Sequence, residues 1–171
     1  GHAQLGTFSD EAIDGILHRA KAARLEFIVI SGLDLKSSEK TLMMGQRDKT
    51  LWPQIGIYGW WAQELDASTY PKLKDLAKRD EVVAIGEIGL DYNVDPDRET
   101  QKRCFAEQVK LAKELGLPLS LYTNTQEGYQ DAVNILYKEK AEGLGAVFNT
   151  FDRFMLNSQR NYKPVLKNWL D

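Results

Sequence analysis

Val82-Val83-Ala84-Ile85-Gly86-Glu87-Ile88 is a short, largely β-branched apolar run, and its surroundings decide the fold. Residues 96–115 follow it with a helical period whose inner face is Phe105, Val109, Ala112 and Leu115. Asp95 stands where a cap belongs, Pro96 at the first helical position, and Gly116 ends the helix ahead of Pro118. Leu117-Pro118-Leu119-Ser120-Leu121-Tyr122 is then a second strand. A strand, a helix and a strand in about forty residues make one parallel βαβ unit.

The same alternation extends both ways. Downstream, residues 126–140 form a helix through Tyr129, Val133 and Leu136, and Gly145-Ala146-Val147-Phe148-Asn149 a strand. The tail, 159–170, has a helical stripe of Tyr162, Val165, Leu166 and Trp169. Upstream lie a short helix over 69–78, with Leu73, Leu76 and Ala77 inward, and a strand Gln54-Ile55-Gly56-Ile57-Tyr58. A helix-like stretch over 38–47, a strand from Leu25 to Gly32 and a helix over 9–24 capped by Ser9 precede them. Residues 1–5 read as the end of a further strand. The strands are apolar runs with no polar face, as expected of a parallel sheet covered on both sides. No linker or low-complexity stretch divides the chain, so residues 1–171 form a single α/β domain.

Composition narrows the function. The net charge of −3 argues against a nucleic-acid binder driven by charge alone, and no basic surface stands out. Lys72, Lys74, Lys78 and Arg79 cluster on one predicted helix, where they form its solvated face. His18 lies off the apolar stripe of its helix and is a surface residue. The single cysteine, Cys104, flanks a core face and reads as a small packing residue, so no internal disulfide forms. No apolar run approaches the roughly 20 residues of a membrane span, and no signal peptide is evident. A cytoplasmic location is the expectation.

In a parallel α/β protein, binding groups gather where the strands end. The candidates there are His2, Gln4, Tyr58, Glu87, Tyr122 and Asn149. His2 and Gln4 face the same way on a strand. Glu87 interrupts an apolar strand, and a buried carboxylate needs a partner, a metal or a proton.

Ala84-Ile85-Gly86-Glu87-Ile88-Gly89-Leu90-Asp91-Tyr92, then Gln101, Phe105, Gln108, Leu111-Ala112 and Leu115-Gly116-Leu117-Pro118, resemble the signature of the TatD family. Weaker echoes are Gly1-His2-Ala3-Gln4-Leu5, Gly56-Ile57-Tyr58-Gly59-Trp60 and Ala146-Val147-Phe148-Asn149-Thr150-Phe151. The resemblance implies a TIM-like (β/α) barrel of the amidohydrolase type, with one or two divalent metals at its carboxyl end. It also implies metal-dependent hydrolysis of phosphodiester bonds in DNA, so a deoxyribonuclease-like activity. Imidazole and carboxylate suit such ions, and metal-bound water supplies the nucleophile. A full barrel takes about 250 residues. This chain carries about six of the eight strand–helix units, and the carboxyl-terminal part is expected to be missing or divergent.

Carried over residue by residue, the resemblance keeps two family-type ligands, His2 and Glu87. Gln4, Tyr58, Tyr122 and Asn149 stand where it has histidines, and Asn124 where it has a basic residue. Neither Asp152 nor Asp171 stands in the context of its last acidic ligand. A catalytic metal usually takes three protein ligands and a water, so the site reads as depleted and non-catalytic or altered. It would bind an unidentified small molecule or nucleic-acid fragment through His2, Gln4, Tyr58, Tyr122, Asn124 and Asn149. The first alternative is an active hydrolase, with Glu87 as catalytic base, His2 as its partner or a single-metal ligand, Tyr58 and Tyr122 on the substrate, and Mg²⁺, Mn²⁺ or Zn²⁺ as cofactor. The second is a scaffold in which Tyr58, Trp60, Trp61 and Tyr122 are packing residues. Trp60-Trp61 also resembles a platform for stacked bases.

Overall fold

The computed structural model describes residues 2–3 and 8–149. Gln4, Asp152, Asp171 and the expected tail helix lie outside these residues, and His2 is described by its backbone alone. Six parallel strands form one sheet in chain order: β1 His2–Ala3, β2 Ile28–Ser31, β3 Leu51–Ile55, β4 Ala84–Ile88, β5 Leu119–Leu121 and β6 Ala146–Phe148. Between them run α1 Asp10–Ala22, α2 Leu35–Arg47, a 3-10 helix Gly59–Glu64, α3 Tyr70–Ala77, α4 Arg98–Leu115 and α5 Gln126–Lys138. Neighbouring strands in unbroken order, each joined through a helix, are the architecture of a barrel wall.

Burial drives the assembly. Ile55, Ile85, Leu119 and Leu121 of the sheet pack against Phe105, Val109 and Ala112 of α4 and Ala132 and Leu136 of α5. A smaller cluster joins Ile13 of α1 to Ile28, Ile30, Met44 and Leu51. Cys104 is buried, as its position on α4 implies, and burial pushes its thiol up to about 12. Lys72, Lys78, Arg79 and His18 are exposed. At the amino end of the sheet, Phe27 stacks on Trp52 with ring centroids 4.1 Å apart, and both rings face solvent. No helix among the described residues is long and apolar enough to cross a membrane.

Three expectations need correction. The third strand runs over Leu51–Ile55, three residues earlier than the sequence suggests. Pro53 costs it no ladder bond that matters, since its carbonyl still accepts from Val83 N–H at 2.9 Å. Tyr58 has left the strand, because its N–H turns to the carbonyl of Leu33 at 2.8 Å. The cap of α4 is Asp97, which accepts from the N–H groups of Glu99 and Thr100 at 3.0 and 3.1 Å. Asp95 and Pro96 precede that cap, since only Asp97 reaches the free amides of the first turn. Finally, the sheet does carry buried polar groups. Ser31, Gln54, Glu87 and Ser120 are all buried, and Gln54 Nε2 donates to Ser31 Oγ at 2.6 Å. Apolar runs hide this because each strand contributes only one such residue.

Other boundaries agree within a few residues. Ser9 caps α1 as read, accepting from Ala12 N–H at 3.3 Å. Gly116 ends α4 in the left-handed conformation at φ 67°. The tightest fit is Gly89, at φ 155°, where a Cβ atom would lie 1.7 Å from the carbonyl oxygen of Tyr122. That glycine lets the ends of β4 and β5 touch. Gly89→Ala is therefore expected to cost more than about 3 kcal/mol, through backbone clash at a fixed conformation. Urea unfolding checks this, and a midpoint equal to that of the parent would show that the two strand ends can separate freely.

Candidate functional site at the carboxyl ends of the strands

Two loops form the site, and α4 fixes both. After β3, the Gln108 side chain meets Ile57 as a second backbone would. Its Oε1 accepts from Ile57 N–H at 2.7 Å and its Nε2 donates to Ile57 O at 2.8 Å. Ser38 Oγ of α2 donates to Gly56 O at 3.0 Å and accepts from Gly56 N–H at 3.2 Å. After β4, Gln101 repeats the device on Asp91. Its Oε1 accepts from Asp91 N–H and its Nε2 donates to Asp91 O, both at 2.8 Å. Gln101 Nε2 also reaches the carbonyls of Val94 and Pro96 at 3.1 and 2.8 Å. Gln101 and Gln108 are seven residues apart, two helical turns, so they share one buried face.

These clamps set the side chains beside them. Tyr58 is 3% exposed, with its ring edge-on to Trp60 at 5.3 Å and to Tyr122 at 5.7 Å between centroids. Its phenolic oxygen is enclosed without a hydrogen-bond partner among the described residues. Burial, together with the nearby charges of Asp91 and Glu87, holds that phenol far above its ordinary range, so it stays protonated. Asp91 is 2% exposed and accepts from Trp60 Nε1–H at 2.7 Å and from Asn93 N–H at 3.1 Å. Trp60 itself is exposed on its outer side. Glu87, also buried, accepts from Asn149 Nδ2 at 2.8 Å, and the same amide donates to Ser120 Oγ at 3.0 Å.

The structure thus brings together Tyr58, Glu87, Tyr122 and Asn149. Asn124 is exposed and makes no hydrogen bond with this group among the described residues. Asp91 and Ser120 join the site although the sequence reading gives them no role, and so does Trp60, read from the sequence as a packing or base-stacking residue. Ser120 is a lone polar residue inside an apolar strand, the same signal that singled out Glu87. Asp91 is an acid just past a strand end, where binding groups gather.

Among the described residues, no three His, Cys, Asp or Glu side chains converge on one point. A neutral phenol and a carboxamide are weak ligands beside imidazole and carboxylate. Replacing Gln108 by Leu would leave the buried N–H of Ile57 unpaired and its C=O with only the weak Cys104 thiol donor, at about 1–3 kcal/mol for a lost partner. A loss of about 2–4 kcal/mol in chemical unfolding is expected, and a loss below about 0.5 kcal/mol would mean that water replaces the clamp.

A family model described as TatD related DNase matches residues 2–160. The uncharacterized metal-dependent hydrolase YabD of Bacillus subtilis (strain 168) is 32% identical over 152 residues, covering 88% of this chain and 59% of that protein. The 3'-5' ssDNA/RNA exonuclease TatD of Enterobacter lignolyticus (strain SCF1) is 34% identical over 110 residues, covering 64% of this chain and 42% of that protein. The chain therefore spans less than two thirds of the length of either relative. In fold it matches the crystal structure of YJJV, a TatD homolog from Escherichia coli K12, at a TM-score of 0.80 and 21% identity. That match covers 98% of this chain and 63% of the other. An incomplete TIM-like wall of six parallel strands agrees with that coverage. The chain belongs to the TatD-related DNase family.

Proposed function

We propose that this chain keeps the TatD barrel wall and its ligand pocket but not metal-dependent hydrolysis of phosphodiester bonds. The observation that carries this reading is the hydrogen bond from the Asn149 amide to the Glu87 carboxylate, 2.8 Å long. A carboxylate that ligates a metal offers it a lone pair. Here an amide N–H points at that oxygen, and the amide is held in place by Ser120 Oγ as well. The nearby Tyr58 phenol keeps its proton at neutral pH. Tyr58, Tyr122 and Asn149 occupy positions where the family resemblance has histidines; the two tyrosine rings pack on each other and Asn149 is hydrogen-bonded. Their joint presence supports a rebuilt site, since a single lost ligand would leave the others suited to a metal.

The buried Glu87 keeps the alternative of a reduced hydrolase in view, in which His2 would serve as a partner or single-metal ligand. Calorimetric titration of the full-length protein with Mn²⁺, Zn²⁺ and Mg²⁺ separates the two, with Glu87→Gln as control. Glutamine keeps an oxygen for Asn149, so the variant is expected to fold. The expected outcome is no micromolar binding of any of the three ions and no release of nucleotides from single-stranded DNA. Micromolar binding that disappears in Glu87→Gln would restore the hydrolase reading.

A further inference from the structure

We draw no further inference here: the strongest candidate, the exposed apolar patch that Phe27 and Trp52 form at the amino end of the sheet, is a surface for which nothing in the structure shows what covers it.

Discussion

Two glutamine side chains on α4 hold the chemistry of this protein in place. A loop that follows a parallel strand has no ladder partner, so its N–H and C=O groups need bonds from elsewhere. Gln108 gives them to Ile57 and Gln101 to Asp91, each through both ends of its amide. An amide side chain is the only neutral group that can copy a strand edge in this way. The cluster of Tyr58, Trp60 and Asp91 therefore depends on one buried face of a helix, the face that carries Phe105 and Val109 into the core. α4 also sets Phe105, Val109, Leu111 and Ala112 in the main core, so the site is anchored to the buried part of the wall.

The polar layer across the sheet carries the second theme. Ser31 with Gln54, and Ser120 with Asn149 and Glu87, are paired side chain to side chain. Buried polar groups that satisfy one another are cheap to keep, whereas a carboxylate alone is costly. A carboxylate deep in the sheet can be accommodated by a metal or by a neutral donor. Asn149 donates to Glu87 here, and the same amide donates to Ser120.

Much of the fold was legible in the sequence because strongly periodic segments carry their own signal. β4, α4 and α5 combine uninterrupted apolar runs or stripes with clear stops, and Gly116 marks its stop by needing a left-handed backbone. β3 was misplaced because the apolar pattern continues through Ile57 and Tyr58 after the chain has left the sheet. Only the hydrogen bond of Tyr58 to Leu33 reveals the departure. Asp95 and Asp97 are equally good caps by residue type, and the choice depends on which one reaches the first amides. Tyr58, Tyr122 and Asn149 draw attention because each stands at the end of an apolar run, and Glu87 because it interrupts one. Asp91 was quoted inside a signature yet given no role, since its contact with Trp60 spans thirty-one positions. Asn124 shows the converse, a polar residue at a suitable position whose side chain turns to solvent.

The doubled clamp has a consequence for motion. Loops usually open on their own, with little free energy, while the helices beneath them stay closed. Here the amides of Ile57 and Asp91 are released only when the buried face of α4 moves away. Hydrogen exchange at these two loop positions should then follow the slow rhythm of the core. Loops mounted this way keep the shape that the core gives them, and lose it only when the core itself opens.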